Sequence, residues 1–512
     1  MTGTMDDVFE SPPKRPDDPF GSDPRRPRWR NRLVIAVVGL VVIGAGGWGV
    51  DKLVHACGGL NSGVSEIDGE CVGVTDGSFV FDPALADVEA KIATENERVQ
   101  NSGHTVTVAL LNPLTSDDTS PLSSASARKV LEGAYTAQRS VNQQGKLGDA
   151  RPLIRLVLAN EGSHQKQWQP VVRQLIGMVD DAAPLVAVTG LGVSITETRL
   201  GAQELAAHGI PMVGAFTTAD DLTYTSIHGF VRVAPSNHEY VESLQNYLKQ
   251  RPELDSAIMV FDANSDHPTN PDLFTRSLRD DLTKVMQDRL TFPSLSFTGA
   301  TVPSDSSPGL FNSITPNLCA VKPKAVLYAG RQIDLRSFLQ SLQGRVCPDT
   351  PITVITADVD ISALKEDEPK LRKKNITVAH VAAVDQTGWL NNAPGTPPHF
   401  ADFRSEFQTA GFDLADIDDG WTIGNYDALL TAVRAIRLAT PPTPSATHSV
   451  PTRGDVFGQL LNMNGLNTVP GAGGDLSFSF RGHGSGNPTG KSIPVLEIPS
   501  SGSPAVSTYV TR

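Results

Sequence analysis

Apolar residues in this chain fall into two alternating patterns. Short, nearly continuous runs occur at Val106–Leu111, Leu153–Leu158, Leu185–Val188 and Met212-Val213. Between them, 124–142, 165–180 and about 196–208 repeat apolar residues at helical spacing, as Val171, Val172, Leu175 and Ile176 do in the second of these. Runs that are apolar throughout suit strands buried on both faces, and their alternation with helices predicts a parallel sheet covered on both sides. The rhythm restarts after residue 254. Strands are predicted at Ala257–Phe261, Ala325–Tyr328, Ile352–Ile355 and Ile376–Val384, and helices over 272–288, 334–343 and 423–438. The fold class is therefore α/β, with two doubly wound parallel-sheet lobes and a cleft between them. Lobe 1 is expected over 104–236, with about 385–440 returning to it, and lobe 2 over 237–384. Residues 441–512, with strands at Leu476–Phe480 and Ile493–Ile498, are expected to form a C-terminal crossover segment.

One apolar run is of a different kind. Residues 33–50 read LVIAVVGLVVIGAGGWGV, uncharged and long enough to cross a bilayer as a helix. Arg25, Arg26, Arg28, Arg30 and Arg32 precede it, whereas Asp51 and Lys52 follow. The excess of arginine on one side predicts a single-pass signal-anchor with a cytoplasmic N-terminus and an extracytoplasmic body. Residues 1–32, rich in proline and charge, are expected to be a disordered cytoplasmic tail. Two other readings of the anchor stay open: a cleaved signal peptide, and a lipoprotein box at Val54-His55-Ala56-Cys57. Residues 51–103 read as a juxtamembrane linker and a helix. Asp82-Pro83 supplies the helix start, and Leu85, Val88, Ile92 and Val99 its apolar stripe.

Composition narrows the partners. Among the 512 residues the net charge is −13, which excludes a backbone-driven nucleic-acid binder. The four cysteines, Cys57, Cys71, Cys319 and Cys347, form no C-x-x-C pair. In an oxidising compartment the natural disulfides are Cys57–Cys71 and Cys319–Cys347, although four cysteines allow three connectivities.

Motifs for chemistry are wanting. No G-x-S-x-G elbow and no H-E-x-x-H pair occurs, so no enzymatic activity, cofactor or metal is expected. Gly484-Ser-Gly-Asn-Pro-Thr-Gly490-Lys491-Ser492 misses the phosphate-loop spacing and reads as a glycine-rich turn. Asp416-Ile-Asp418-Asp419-Gly420 lacks the alternation and closing glutamate of a calcium loop and reads as a turn before a helix.

Five segments in order carry a resemblance. They are Gly133-Ala-Tyr-Thr-Ala-Gln-Arg-Ser-Val-Asn142-Gln-Gln-Gly145, Ala187-Val-Thr-Gly190-Leu-Gly-Val-Ser194-Ile-Thr196, His208-Gly-Ile-Pro-Met-Val-Gly-Ala215-Phe-Thr-Thr218, Ala325-Val-Leu-Tyr-Ala-Gly330 and Asn425-Tyr426-Asp427-Ala428. Over roughly 104–500 the chain resembles the leucine/isoleucine/valine-binding family of type I periplasmic-binding proteins, the substrate-binding components of branched-chain amino-acid ABC transporters. The resemblance implies capture of an amino acid or similar small polar solute between the lobes, for ABC-type uptake or sensing, with a permease or other membrane partner. The alternative is a membrane-anchored interaction or sensor protein that kept the fold and lost the ligand. Carried over residue by residue, Ser194, Ala215, Thr217 and Thr218 become the carboxylate-side candidates. Asp358 becomes the acid for an ammonium group, and Arg331 and Gln332 are placed to point into the cleft. The chemistry is coherent, because a zwitterion leaving water needs both charges met.

Overall fold

A computed structural model of the chain describes residues 56–58, 63–100, 102, 104–148, 151–300, 309–357, 364, 366–440, 450–480, 485–499 and 509–511. The chain divides into two units, Met1–His55 and Ala56–Arg512, and every described residue belongs to the second. The expected tail, the apolar run 33–50 and Asp358 lie outside the described residues. Among those described, no helix is long and apolar enough to cross a membrane.

Lobe 1 opens with a hairpin. Strands β1 (Val64–Ile67) and β2 (Glu70–Thr75) turn at Asp68-Gly69, both in the left-handed region at φ 54° and 84°. Helix α1 (Ala86–Gln100) follows. The strands β3 (Thr105–Asn112), β4 (Leu153–Asn160), β5 (Leu185–Val193), β6 (Met212–Phe216) and β7 (Phe230–Arg232) alternate with α2 (Ser124–Gln143), α3 (Trp168–Gly177) and α4 (Thr196–Ala207). The sheet has seven strands in the order β1-β2-β4-β3-β5-β6-β7. β3 to β7 pair in parallel, and β2 adds antiparallel to β4. Residues 64–75 are thus part of the lobe 1 sheet and not of a linker. Their own sequence carries the signal: Asp-Gly between short alternating segments favours a two-residue hairpin turn.

The chain crosses to lobe 2 at α5 (Asn237–Lys249), a helix absent from the apolar pattern reading. A reciprocal capping box starts it. Ser236 Oγ accepts from Glu239 N, and Glu239 Oε2 accepts from Ser236 N at 2.7 Å. Then come β8 (Ala257–Asp262), α6 (Leu273–Val285), β9 (Leu295–Phe297), α7 (Ile314–Val321), β10 (Ala325–Ala329), α8 (Gln332–Gln343), β11 (Ile352–Ala357), α9 (Glu368–Lys373) and β12 (Ile376–Val381). All four pairings among these strands are parallel.

The chain then returns to lobe 1 as α10 (Gln386–Leu390), α11 (Phe400–Thr409), α12 (Trp421–Ala439) and α13 (Arg453–Leu460). α12 packs tightly on α2, since a Cβ on Gly133 would stand 2.0 Å from the Thr422 carbonyl oxygen. Buried Phe403, Phe407 and Tyr426 fill the adjoining core. β13 (Val469–Gly471), β14 (Gly474–Phe478) and β15 (Pro488–Ile493) begin a small sheet. β16 (Val495–Ile498) leaves it to pair antiparallel with β12 in lobe 2, and β17 (Tyr509–Val510) pairs back onto β15. Among the described residues the chain passes between the lobes after β7, after β12 and between β15 and β16, before β17 pairs back onto β15. The second and third of these passages run side by side, with Ala382 N donating to Pro494 O at 3.0 Å.

Both disulfides form as the oxidising-compartment pairing expects, Cys57 with Cys71 and Cys319 with Cys347. With its sulfur in a disulfide, Cys57 has no thiol left for a lipid thioether. The acids at 416–419 answer basic side chains of α2. Asp416 meets Arg128 at 2.8 Å, and Asp418 and Asp419 meet Lys129 at 2.6 and 2.7 Å.

Candidate functional site

The two parallel sheets share one order, β4-β3-β5-β6-β7 and β9-β8-β10-β11-β12. In each, the direction of succession reverses between the first and third parallel strands: β3 and β5 in lobe 1, β8 and β10 in lobe 2. Ligands of open α/β sheets bind beyond the carboxyl ends of strands at such switch points. The rule singles out Asn112 and Ser194 in lobe 1, and Asp262 and Arg331 in lobe 2.

The end of β5 is shaped by an irregular turn. Gly190, Leu191 and Gly192 hold φ of 87°, 66° and 56°, a left-handed run in which Leu191 is a strained non-glycine. A Cβ on Gly192 would lie 2.5 Å from the Gln165 amide, so only glycine lets the turn close on that side chain. Gln165 is fully buried and works in three directions. Its Oε1 accepts from Val193 N at 3.1 Å, and its Nε2 donates to Thr198 Oγ1 at 2.9 Å and Glu161 Oε1 at 2.7 Å. This network fixes where Ser194 emerges.

Ser194 and Arg331 meet directly. Arg331 Nη2 donates to Ser194 O at 3.0 Å, and Phe274 N donates to the same oxygen at 3.0 Å. Ser194 Oγ accepts from Ala219 N at 3.1 Å, which ties the β5 turn to the β6 turn. Arg331 also grips Asp272 with two bonds, Nε to Oδ2 at 2.7 Å and Nη2 to Oδ1 at 2.9 Å, and its guanidinium lies 5.0 Å from the Phe274 ring centre. The Ser194 carbonyl thus joins the lobes by accepting from Arg331 and Phe274, while the Ser194 hydroxyl is used within lobe 1 and the Arg331–Asp272 pair lies within lobe 2. Neighbouring contacts also join the lobes. Thr196 Oγ1 donates to Pro271 O, Asn270 Nδ2 donates to Glu197 Oε1, and Arg276 pairs with Asp221 at 2.9 Å. Leu273 of α6 is buried in the lobe 1 core.

The other expected residues fare differently. Ala215 lies within β6 with its methyl group packed in the lobe 1 core. Thr217 and Thr218 are fully buried at the end of β6, and neither Oγ1 has a partner among the described residues. Their carbonyls are used, Thr217 O by Arg232 Nη1 and Thr218 O by Asn237 N. Gln332 is half-buried at the start of α8. In lobe 2, Asp262 Oδ1 accepts from Gly299 N at 2.9 Å and Asp334 accepts from Ala300 N, so the two acids clip the loop after β9 between them. Burial pushes the Asp334 carboxyl up to about 7; the Asp262 and Asp272 charges add to this, while the Ala300 bond and Arg331 oppose it.

Three residues escaped the sequence reading. Asp272 is the buried acid opposite Arg331, and it also caps α6 by accepting from Thr275 N at 3.1 Å. Asn112, 1 % exposed, ends β3 at the switch point with its Nδ2 unpartnered among the described residues. Glu161 follows β4, buried among the lobe 1 turns with Gln165 on its Oε1. The strand patterning placed Asn112 and Glu161 just after apolar runs, which is the available signal for both.

Burial holds the Glu161 carboxyl at about 8; the Gln165 hydrogen bond lowers it and the Glu197 charge raises it. The folded chain keeps a proton that the unfolded chain releases near its ordinary value of 4.5. Folding therefore takes up a proton between these values, and stability from this group falls as pH rises from about 4.5 to about 8. Glu161→Gln keeps an acceptor for Gln165 and removes the titration. Its melting temperature is expected to decline less across that window and to exceed the parent's above it. Parallel curves for the two proteins would assign the slope elsewhere.

No protein-family profile matches the sequence, and no curated protein matches it. Solved structures do match. A branched-chain amino-acid transporter substrate-binding protein from Streptococcus pneumoniae, in complex with isoleucine, shares 13% identity, covers 80% of this chain and 99% of its own, and gives a TM-score of 0.56. A leucine-binding protein from Thermotoga maritima shares 14% identity over 80% and 98%, with a TM-score of 0.54. This is the type I periplasmic-binding fold. A solute-binding protein of an ABC transporter from R. palustris, in complex with 4-hydroxybenzoate, also has this fold, at 12% identity over 80% and 95% and a TM-score of 0.54. The expectation of two doubly wound parallel-sheet lobes holds. Members of the fold at similar distance from this chain thus bind an aliphatic amino acid and an aromatic acid.

Proposed function

We propose that this chain is a membrane-anchored, extracytoplasmic solute-binding protein that captures an amino acid or another small carboxylate between its lobes, without turnover, for an ABC-type permease. The observation that carries the reading is the set of unspent donors at the carboxyl ends of lobe 1 strands. Asn112 Nδ2, Thr217 Oγ1 and Thr218 Oγ1 are buried without a partner among the described residues. A buried polar group left unpaired costs about 1–3 kcal/mol, so such groups are kept where something else pairs them. A carboxylate, which only accepts, suits donors of this kind. Asp358 stays the candidate for an ammonium group, and the run 33–50 for the anchor.

A second reading has its own support. Arg331 already donates to the Ser194 carbonyl across the junction, which favours a sensor or interaction protein whose lobes close on each other and not on a solute. Isothermal titration of the full chain in detergent with the L-amino acids and 4-hydroxybenzoate separates the two. Saturable heat that Thr217→Val/Thr218→Val weakens at least tenfold supports capture. Silence with every compound overturns it in favour of the second reading.

A further inference from the structure

Helix α6 is the element of lobe 2 that lies along lobe 1. Leu273, Ser277 and Asp281 share one face of it at helical spacing. Leu273 enters the lobe 1 core, and Ser277 Oγ accepts from Asp220 N at 3.4 Å. Asp220 belongs to the turn after β6. It and Asp281 therefore stand on opposite sides of the junction. We propose that closure of the two lobes takes up a proton, which Asp220 and Asp281 share, so that acid holds the junction shut and alkali releases it.

The geometry calls for that proton. The two carboxyl groups face each other within hydrogen-bond reach. His238 spans them from α5: its N donates to Asp220 Oδ1 at 3.2 Å, and its Nδ1 stands 3.2 Å from Asp281 Oδ1. Asp281 Oδ2 is buried with no donor among the described residues. Ionised carboxylates only accept, so two of them side by side leave that oxygen unanswered and repel each other. One proton between them supplies the donor and removes the repulsion.

Charged groups face the pair from each neighbouring element. In lobe 1, Arg232 of β7 favours the ionised form of Asp220, and Asp221 is taken by Arg276 and Arg199. In lobe 2, His238 and Lys284 favour the ionised form of Asp281. Glu239 accepts from Ser236 N, and Glu242 Oε2 from Tyr509 Oη. Burial and the Asp281 carboxyl outweigh Arg232 and push Asp220 well above the ordinary carboxyl range. Burial also acts on Asp281, but the bonds from His238 and Asp220 hold it below that range. Opening the junction returns Asp220 to water and toward its ordinary value of 3.8. Between that value and the raised one, the closed arrangement binds one proton more than the open one. Its advantage therefore shrinks by up to about tenfold per pH unit as pH rises through that range. The bond between His238 and Asp281 lies within lobe 2, so it is present whether the junction is open or shut. The proton on Asp220 is thus a ligand of the closed form.

Amide hydrogen exchange of the full chain in detergent tests this. Phe274 N donates across the junction to Ser194 O, so its protection, corrected for the intrinsic exchange rate, measures opening. Between about pH 5 and about pH 8 that protection is expected to fall at least about tenfold in the parent, beyond any fall shared with the amides of β3, which report global unfolding. Asp220→Asn supplies a donor without a proton and keeps an oxygen for His238 N. Its Phe274 amide is expected to stay protected and flat over the same range. Asp281→Asn, which removes the facing acid, is expected to be flat as well. Protection independent of pH in the parent overturns the proposal, as does a slope retained in either variant. No solute takes part, so a failure here leaves both readings of the strand-end site standing.

Discussion

Asp427→Ala is expected to destabilise the protein by about 3–5 kcal/mol, because it strands a charge in the interior. Asp427 lies on α12 with its side chain wholly buried, and Lys491 on β15 is 4% exposed; the pair stands at 2.7 Å. The same carboxylate accepts from Ala472 N at 2.6 Å and Gly473 N at 3.1 Å, the turn between β13 and β14. One side chain therefore fastens the small sheet to the helix that returns to lobe 1. Removing it leaves an ammonium and two amides with no acceptor. Asp427→Ala/Lys491→Met is expected to recover most of the loss, since taking both charges out together removes the uncompensated one. Urea unfolding of the three proteins decides the matter. An Asp427→Ala protein within about 1 kcal/mol of the parent would show that water reaches Lys491 and that the pair is not a fastening.

Arg331→Met is expected to loosen the lobes. The Arg331 and Asp272 side chains are 9% and 1% exposed, and their pairing is bidentate. Loss of the guanidinium leaves Asp272 as a buried, unmatched carboxylate, a cost of about 3–5 kcal/mol if the site stays dry. Opening the junction gives that carboxylate water. It also releases the Ser194 carbonyl, which otherwise keeps only its bond from Phe274 N. Since the chain still passes repeatedly between the lobes, the expected outcome is a larger radius of gyration by small-angle scattering, with both lobes folded. Adding Asp272→Asn, which keeps the cap to Thr275 N, is expected to restore much of the compactness. An unchanged radius together with unchanged stability would mean that the lobes are held by their apolar contacts, Leu273 foremost, and not by the Arg331 bond to the Ser194 carbonyl.

Periodicity located the central strands, because strands buried on both faces must be apolar at every position. β3 and β5 are buried along their whole length and were unmistakable. Elements at the margins were hidden for the same reason. β1 is half exposed, and β7 and β9 have only three residues each. For the hairpin and α5 the signals were local and chemical: Asp68-Gly69 in one case, and Ser236 with Glu239 in the other. Lys491 illustrates the opposite error to guard against. Its glycine-rich surroundings look like phosphate chemistry in one dimension, whereas the lysine is consumed by an aspartate sixty-four residues away.

By itself the sequence determined the two α/β halves, the positions of their main strands, the four cysteines that pair, and the turns at Ser194, Thr217-Thr218 and Arg331 that end up near the junction. These follow from burial patterns and turn chemistry, which act over a few residues. Which hydroxyls are free and which are spent was decided only by the tertiary structure. Asp272, Phe274 and Ala219 are distant in the chain from the groups they satisfy, and a hydrogen bond is fixed by angstroms that no local pattern encodes. Thus Ser194 and Arg331, alike in the sequence as ligand candidates, became each other's partners. Asn112, which the sequence passed over, joined Thr217 and Thr218 as a buried donor at the end of a lobe 1 strand with no acceptor among the described residues.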